Sequence, residues 1–452
     1  MKTLLLRPPR RNHRDASLAV PPLGLAYLAA VLRQAGREVE IIDAYALGWS
    51  WDRLSKELAR RRPDVLGLGT MTPVADTAYR AAEIARPFAR HILLGGPHPT
   101  AVGHAVFEAC PAIDHAVSGE GEEVLLPLLD WLEGGELGPP PPGVLSPGHP
   151  LKAHTPQLPI DALPRPARDL LPGSVYRYLF ATRPGFATMI TSRGCPFRCS
   201  FCDKSVSGSQ WRARSARDVV DEMEHLHQEG VGFINFYDDN FTLHRGRVVE
   251  ICEEILRRDL DMEWKCEGRV DSVDLPLLQL LRKAGCRTMA YGVESGNPET
   301  LALLRKDITI EETEQAFSDT RAAGIRPLAY MILGAPGESQ KAVRKSIRFT
   351  REIGADYVQF STLTALPGTP LFAQQGHRPR QSVSNPLDAD LDRHTVSDLP
   401  PEALSQLMRE AWTGFYLRPG PILRLARDAV ASGSLREGIR LGRQLAQWRL
   451  SP

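Results

Sequence analysis

Three cysteines lie within eight consecutive residues and form the spacing C-x3-C-x2-C, at Cys195, Cys199 and Cys202. The chain has 7 cysteines, and the other four are scattered, which excludes a disulfide framework. A fold that contains this cluster has to present three thiolates on one short loop. Such a set can bind three irons of a [4Fe–4S] cubane and leave the fourth iron without a protein ligand. An open coordination position is what catalysis requires and what a purely structural metal site lacks.

The main alternative for this cluster is a structural zinc site that takes a fourth ligand from elsewhere, for example Cys266. Structural zinc sites usually combine two paired C-x-x-C or Cys/His knuckles, and the sequence has no second pair. The spacing therefore favours the iron–sulfur interpretation. The cysteines on helix and strand patterns, Cys252, Cys266 and Cys286, are expected to be small buried hydrophobic residues.

Residues 183–375 alternate short apolar strands with amphipathic helices, the pattern of consecutive β/α units. Strands are predicted at 186–192, 232–238, 262–267, 286–293, 327–333 and 357–362. Helices are predicted at 216–228, 245–257, 275–284, 310–323 and 341–353. Six strands are too few to close an eight-stranded barrel. We therefore expect a partial (β/α)6 barrel of the TIM type, with the cysteine cluster on the loop after its first strand.

Residues 1–135 form a separate β/α series, with strands predicted at 3–6, 39–43, 65–69, 92–95 and 113–117. Helices are predicted between them at 23–35, 51–61, 77–89 and 122–132. This predicts an open, doubly wound, Rossmann-like sheet, and such sheets bind ligands beyond the carboxyl ends of their strands. Residues 136–182 begin in a proline- and glycine-rich run and are expected to be a linker and bridging segment. Residues 376–452 are expected to be a helical carboxyl-terminal region.

Composition excludes several function classes. The chain has 452 residues, and 55 Lys and Arg balance 54 Asp and Glu to a net charge of +1, so we expect no broad surface for nucleic acid. No run of about 18 apolar residues occurs, so we expect no membrane-spanning helix. The apolar stretch at 1–6 is too short for a signal peptide. These features predict a cytoplasmic protein.

The cysteine motif, with an aromatic residue immediately before its last cysteine, resembles that of the radical S-adenosylmethionine (SAM) superfamily. The resemblance implies a [4Fe–4S] cluster on the three cysteines, with SAM bound to the open iron and cleaved to a 5′-deoxyadenosyl radical. It places SAM contacts at successive strand ends, where the sequence reads FYDDNF at 236–241, EGRVD at 267–271, YGVESG at 291–296 and MILGAPGE at 331–338. The implied SAM-binding residues are Phe201, Asp238, Asp239, Glu294, Ser295 and Gly334. The three carboxylates could instead be solvated loop residues.

The amino-terminal series resembles the cobalamin-binding domain of one large subgroup of this superfamily, which includes the anaerobic magnesium-protoporphyrin cyclase and many cobalamin-dependent methylases. The similar stretches read LRPP at 6–9, PPLGLAYLA at 21–29, GGPHPT at 95–100 and GEGE at 119–122. The implied cobalamin contacts are Pro9, Thr70, Met71, Thr72, Gly95, Gly96, His98, Gly119 and Glu120. A nucleotide-binding domain is the alternative, but neither G-x-G-x-x-G nor G-x-x-x-x-G-K-[ST] occurs.

The lower face of cobalt has no predicted ligand. The D-x-H-x-x-G motif, which supplies a histidine to cobalt in other cobalamin proteins, is absent, and Asp114 and His115 have the wrong spacing for it. The subgroup commonly lacks that histidine. His98 lies in a suitable loop, where a hydrogen-bonded structural role is the alternative.

Together the resemblances imply a cobalamin-dependent radical SAM enzyme whose cofactors are a [4Fe–4S] cluster, SAM and cobalamin. The first activity they imply is methylation of an unactivated carbon of a small-molecule, tetrapyrrole or lipid-like substrate, through methylcobalamin and the 5′-deoxyadenosyl radical. A reductant such as flavodoxin or ferredoxin would be a partner, and no catalytic side chain is assigned. Cyclisation, rearrangement or oxidation with the same cofactors is the main alternative, and a non-catalytic cobalamin or iron–sulfur sensor is the third. A methylthiotransferase is disfavoured, because only Cys110 precedes the cluster.

The tail from residue 417 to 452 combines helical apolar spacing with 7 arginines. One interpretation is a helical pair that packs against the open side of the barrel with its arginines solvated. The other is a basic amphipathic surface that rests on an anionic membrane and admits a lipophilic substrate.

Overall fold

The computed structural model describes residues 1–11, 19–178, 180–375, 381–382 and 394–450. These residues form two main sheets flanked by helices and a helical carboxyl-terminal region, which confirms the predicted α/β class. Of the predicted region 376–452, residues 376–380, 383–393 and 451–452 lie outside the described residues. None of the described helices is long and apolar enough to cross a membrane.

The amino-terminal sheet has the strand order β2-β1-β3-β4-β5-β6, and its first five strands are parallel. Its strands are β1 (Thr3–Arg7), β2 (Val39–Asp43), β3 (Val65–Gly69), β4 (His91–Gly95), β5 (His115–Val117) and β6 (Val144–Leu145). Its helices are α1 (Leu23–Gln34), α2 (Trp51–Arg61), α3 (Ala75–Ala85), α4 (Pro97–Val102), α5 (Ala105–Ala109) and α6 (Leu125–Glu133). Apolar side chains are buried on both faces of the sheet, as parallel sheets require.

The proline-rich segment contributes more than the expected linker. β6, which sequence analysis did not predict, pairs antiparallel with β5 and adds a sixth strand to the sheet. Val144 and Leu145 are buried, so two apolar residues between turns are enough to complete an edge strand. Further along this segment, Tyr176 donates a hydrogen bond to Asp43 Oδ2 at 2.9 Å, which ties the bridge to the end of β2.

The second sheet is the predicted partial barrel, with six parallel strands in the order β14-β13-β12-β11-β10-β7 within the described residues. Its strands and the hairpin beside it are β7 (Phe186–Met189), β8 (Ser192–Arg193), β9 (Arg212–Ala213), β10 (Phe233–Phe236), β11 (Glu263–Gly268), β12 (Cys286–Glu294), β13 (Arg326–Leu333) and β14 (Tyr357–Thr362). Its helices are α7 (Ala216–Gln228), α8 (Arg245–Arg257), α9 (Leu275–Lys283), α10 (Pro298–Leu303), α11 (Ile310–Ala322), α12 (Gln340–Glu352) and α13 (Pro370–Gln375).

Local sequence explains where these helices begin. Ser215, Asp274 and Ser339 each accept a hydrogen bond from a backbone N–H of the following helix, and Thr309 and Glu312 form a capping box. Such caps satisfy the free N–H groups of the first turn. The apolar faces that follow pack on the outward residues of the strands and form the largest core of the molecule.

The first barrel strand is shorter than predicted. The expected strand at 186–192 divides into β7 and β8, and β8 leaves the barrel to pair antiparallel with β9. The cause is Asp238, which accepts hydrogen bonds from the backbone and hydroxyl of Thr191 and from the hydroxyl of Ser192. These contacts turn the chain away from the barrel and direct it into the cysteine loop.

The carboxyl-terminal region packs against the barrel. After the short pair β15 (Gln381–Ser382) and β16 (His394–Thr395), it contains α14 (Pro401–Tyr416), α15 (Pro419–Ala431) and α16 (Leu435–Leu450). The α14 residues Leu404, Leu407 and Phe415 are buried in the barrel core. Asp428 of α15 is buried and accepts hydrogen bonds from Arg326 at 2.7 Å and from Tyr357. The helical tail predicted from the sequence is therefore part of the folded barrel unit.

Candidate active site

The loop that carries the three cysteines begins at Gly194, directly after β8. Gly194 has a φ of +84°, and a Cβ there would overlap the carbonyl oxygen of Gln210, so only glycine fits. Its N–H donates to Asp239 Oδ2 at 2.8 Å. Further along, the N–H of Ser200 donates to the carbonyl of Leu304 at 2.9 Å. The loop is therefore anchored on both sides by other parts of the barrel.

The thiols on this loop lie beside two cations. Burial raises the pKa of Cys199, whereas the nearby Lys306 and Arg269 oppose that rise. Burial also raises the pKa of Cys202 to about 12, and the Cys199 and Cys195 thiols add to the increase. Such thiols give up their protons to a metal rather than to water. Thiols next to cations suit an anionic iron–sulfur cluster, so these residues fit the implied group.

The position of the suggested fourth ligand disfavours the zinc alternative. Cys266, the suggested fourth ligand, lies in the core with its Sγ 3.2 Å from Met289 Sδ. Cys252, Cys266 and Cys286 are all fully buried, as expected for small hydrophobic residues.

The two aspartates after β10 have different surroundings. Asp238 is buried, and both of its carboxylate oxygens accept hydrogen bonds from Thr191 and Ser192. In this structure its role is therefore to hold the chain after β7 in place. Asp239 accepts from the Gly194 N–H, and burial raises its pKa, with that hydrogen bond opposing the rise. It lies close enough to Cys202 to raise that thiol's pKa. Of the two, Asp239 is the one that lies beside the cysteine loop.

The residues after β12 form a charged pair and a tight turn. Glu294 has a φ of +63°, which is rare for a residue with a side chain, and its Oε1 accepts a hydrogen bond from Lys306 Nζ at 2.8 Å. Glu294 also raises the pKa of Cys199, so this pair lies beside the cluster loop. Ser295 is fully buried and hydrogen-bonded to Ser346 at 3.0 Å, which makes it a support of the turn in this structure.

The turn after β13 lies beside the aromatic residue of the motif. Phe201 packs against an apolar group that includes Ala335. Gly334 has a φ of +82°, and a Cβ added there would lie 2.9 Å from the Leu404 side chain. Its N–H and that of Ala335 donate to Glu338 Oε2 at 2.9 and 3.1 Å. Glu338 therefore holds the backbone of the turn against the Phe201 side of the cysteine loop.

The carboxyl edge of the amino-terminal sheet is open where the cobalamin contacts are expected. A Cβ added at Gly95 or Gly119 meets nothing within 4 Å, and Met71 is 55 % exposed. By contrast, a Cβ at Gly96 would lie 2.7 Å from the Thr70 carbonyl oxygen. An exposed thioether beside open glycines suits a flat, largely apolar ring system. These residues fit cobalamin, and Pro9 and Thr72 follow the same strand edge.

His98 has a structural partner on each ring nitrogen. Its Nε2 lies 2.6 Å from the Tyr79 hydroxyl and its Nδ1 lies 3.1 Å from Thr72 Oγ1. His98 is buried, and burial lowers its pKa. Both nitrogens are thus engaged within the domain, which favours the hydrogen-bonded role over ligation of cobalt.

An ion network joins the two units at this edge. Arg193, the residue before Gly194, donates to Glu120 Oε2 at 2.9 Å and to Glu122 Oε1 at 2.6 Å, and Arg212 also binds Glu120. Burial alone would lower the pKa of Arg193, but the Glu122 and Glu120 carboxylates raise it above its usual value. Glu120, expected as a cobalamin contact, therefore binds the hairpin that carries the cysteine loop.

A second contact brings the same two surfaces together. A Cβ added at Gly368, in the loop after β14, would lie 3.1 Å from the Cβ of Ala101 on α4 and 2.8 Å from Asp203 just after the last cysteine. The carboxyl edge of the amino-terminal sheet and the cysteine loop thus face each other. Any molecule bound between them would contact both units.

The barrel interior contains a polar network of which sequence analysis named only Glu267, as the first residue of the stretch at 267–271. Lys265 Nζ donates to Glu267 Oε1 at 2.7 Å, and the Tyr330 hydroxyl donates to the same oxygen at 2.7 Å. Lys265 is buried and its pKa is raised, because the Glu267 carboxylate outweighs the opposing effect of burial. The ring of Tyr178 stacks on Phe186 at 5.1 Å and covers the amino-terminal end of the strands. The alternation of Lys265 and Glu267 along β11 was the signal available for this network.

Comparisons with known proteins agree with this arrangement. The radical SAM superfamily matches residues 189–350, and the B12 binding domain matches residues 14–129. The chain is 32% identical over 447 residues to an uncharacterised methyltransferase of Pyrococcus horikoshii, covering 94% of each chain. It is 32% identical over 399 residues to the anaerobic magnesium-protoporphyrin IX monomethyl ester cyclase of Rubrivivax gelatinosus, covering 84% of this chain and 70% of that protein.

Solved structures show the same fold. The radical SAM methyltransferase TsrM of Kitasatospora setae, determined with tryptophan and a SAM analogue, superposes with a TM-score of 0.74 at 20% identity. The match covers 99% of this chain and 98% of that one. The order of an open α/β sheet, a partial barrel and terminal helices is therefore shared along the whole chain.

Proposed function

This chain belongs to the radical SAM enzymes that carry an amino-terminal B12-binding domain, and we propose that it methylates an unactivated carbon of a small-molecule substrate. Its cofactors are a [4Fe–4S] cluster, SAM and cobalamin. The observation that supports the proposal best is the Arg193–Glu120–Glu122 network, which holds the cysteine loop against the open edge of the other sheet. Methyl transfer that uses two bound cofactors needs both of their sites at one interface, and a network that holds these two surfaces together supports such an arrangement.

We assign the cofactor-binding residues from the positions described above. Cys195, Cys199 and Cys202 would hold the cluster, and Phe201 with the Gly334 turn would contact SAM. The open strand edge around Met71, Gly95 and Gly119 would hold cobalamin. When bound, these groups supply hydrogen-atom abstraction and methyl-transfer chemistry.

The chain's own residues position the reactants and exclude water. The Arg193 side chain is nine-tenths buried and paired with Glu120. This buried ion pair fixes the β8–β9 hairpin to the amino-terminal sheet. Tyr178 covers the amino-terminal end of the barrel and stacks on Phe186. Between these two boundaries, Glu267 is the carboxylate of the interior network and is partly exposed. We propose that Glu267, supported by Lys265 and Tyr330, orients a polar group of the substrate.

The competing activity is a radical cyclisation or rearrangement without methyl transfer. It is favoured by one observation, the 32% identity to a magnesium-protoporphyrin ester cyclase. Small molecules of several classes, including tetrapyrroles and lipid-like compounds, are candidate substrates.

Product analysis separates the two activities. The protein reconstituted anaerobically with cluster and cobalamin would be given SAM labelled in its methyl group, a reductant and candidate substrates. Methyl transfer predicts S-adenosylhomocysteine and 5′-deoxyadenosine together, with label in the product. Formation of 5′-deoxyadenosine without S-adenosylhomocysteine or label would contradict methyl transfer and support cyclisation. The Cys199→Ala variant should form neither product.

Two partners belong to the same proposal. A flavodoxin or ferredoxin would reduce the cluster.

The tail would contact an anionic membrane through exposed apolar residues of its last two helices, namely Ile422, Leu423, Val430, Leu435 and Ile439. Part of the tail's positive charge is neutralised within the protein, because Arg424 forms an ion pair with Asp356 at 2.6 Å. Salt-sensitive co-sedimentation with anionic but not neutral liposomes, lost in Leu423→Glu, would support the contact. Equal sedimentation with both kinds of liposome would contradict it.

A further inference from the structure

Two histidines and a glutamate converge at the end of the amino-terminal sheet that is opposite the cofactor edge. His91 and His115 are the first residues of the adjacent parallel strands β4 and β5, and Glu136 follows α6. One ligand atom from each lies within 4.8 Å of the others. Glu136 faces both rings, with Oε1 3.8 Å from His91 Nδ1 and Oε2 3.8 Å from His115 Nε2. These separations are too long for hydrogen bonds, and a small ion fits between the three groups.

The two imidazoles are suited to a metal. Both are more than nine-tenths buried. Imidazole nitrogens are the commonest metal ligands in proteins. Within the described part of the chain, His91 Nε2 is buried with no hydrogen-bond partner, and Nδ1 is the nitrogen that faces Glu136.

A supporting contact fixes the orientation of the second ring. His115 Nδ1 lies 3.0 Å from the hydroxyl of Ser146, next to β6, and the ring packs edge-on against Trp131 at 5.2 Å. Hydrogen bonding through Nδ1 leaves Nε2 directed at Glu136. This is the arrangement of metal-bound histidines, whose second nitrogen is held by a neighbouring group.

The backbone of Glu136 aims its carboxylate at the rings. Glu136 has a φ of +61°, in the left-handed region that residues with side chains rarely adopt. Its N–H donates to the carbonyl of Trp131 at 2.9 Å, which folds the chain back over the end of α6. The Glu136 side chain is 42% exposed, so water has access to complete a coordination shell. The neighbouring carboxylate, Asp114, is already paired with Arg86 at 2.8 Å.

We propose that His91, His115 and Glu136 bind one Zn²⁺ ion. Two imidazoles and one carboxylate are a recognised zinc ligand set, with water in the fourth position. The ion would link β4 and β5 to the chain that follows α6 and, through Ser146, to the edge strand β6. His91, His115 and Glu136 lie at the amino-terminal ends of the strands, away from the cysteine loop, so the ion would take no part in the reaction at the cofactor edge. Its water-occupied fourth position makes it an open site rather than a closed structural one.

The test uses the full-length protein with its iron–sulfur cluster in place and no polyhistidine tag. Zinc binding is measured by titration calorimetry, and the bound ion's ligands by zinc X-ray absorption. Glu136→Gln removes a half-exposed ligand with little risk to folding, and His115→Ala removes a buried one. His225→Ala is the matched control, since His225 forms an exposed pair with Glu229 at 3.4 Å.

We expect one zinc ion per chain with nitrogen and oxygen ligands at about 2.0–2.2 Å and no sulfur. Glu136→Gln should weaken binding about tenfold or more and abolish the rise in Tm that zinc gives the parent, whereas His225→Ala should bind like the parent. Absence of zinc binding, a sulfur ligand at about 2.3 Å, or unchanged affinity in Glu136→Gln would overturn the proposal.

Discussion

The Gly194→Ala substitution tests whether the geometry of the cysteine loop depends on one backbone position. Gly194 has a φ of +84°, and an added Cβ would overlap the Gln210 carbonyl oxygen, lie 2.9 Å from its carbonyl carbon and 3.2 Å from the Ser207 oxygen. The same loop offers a control at Gly208. It also has a left-handed φ, +72°, but a Cβ there meets nothing within 4 Å.

The pair separates the conformational cost from the steric cost. Both alanines cost about 1–2 kcal/mol for the left-handed backbone. Only Gly194→Ala adds the overlap, and overpacking of this kind costs about 1–3 kcal/mol more. The Gln210 carbonyl cannot retreat easily, because Arg212 pairs with Arg193 in the β8–β9 hairpin. We expect the strain to be relieved by displacement of the loop that starts at Cys195.

The assay is iron content and cluster absorbance after anaerobic reconstitution, together with the urea midpoint of unfolding. Gly194→Ala should lose most of its cluster and unfold at lower urea than Gly208→Ala, which should keep its cluster. If both variants retained the same iron content and the same midpoint, the steric argument for this loop would be refuted.

Three further predictions concern the residues around the loop. Because burial raises the pKa of Cys202 to about 12, alkylation of this thiol in metal-free folded protein should be slow at pH 8 and rise about tenfold per pH unit over the alkaline range in which the protein stays folded; fast labelling at pH 8 would contradict this. Glu120→Gln should destabilise the chain by about 1–3 kcal/mol, because it removes one of the two carboxylates that pair with the buried Arg193 while Glu122 still pairs with it, and a double-mutant cycle with Arg193→Met should show coupling; additive effects would exclude it. His98→Ala should leave the cobalt axial-ligand signature unchanged in electron paramagnetic resonance, since both ring nitrogens already have protein partners; a changed signature would identify His98 as the ligand.

The periodicity of the sequence was sufficient to predict both β/α series. The predicted strands at 39–43, 65–69 and 357–362 have the bounds found in the structure, because alternation of apolar strands and amphipathic helices depends on residues close together in the chain. The cysteine motif likewise lies within eight residues, so its chemistry was visible from spacing alone. These features need no knowledge of which distant segments meet.

Contacts between distant residues were decided only by the tertiary structure. Arg193 and Glu120 are 73 residues apart, and no local pattern relates them. Asp238 looked like a loop carboxylate, but tertiary folding places Thr191 and Ser192 against both of its oxygens. The physical reason is that a charged or polar side chain forms hydrogen bonds with whichever donor or acceptor the folded chain places near it. The identity of that partner is a property of strand order and loop position, which periodicity does not specify.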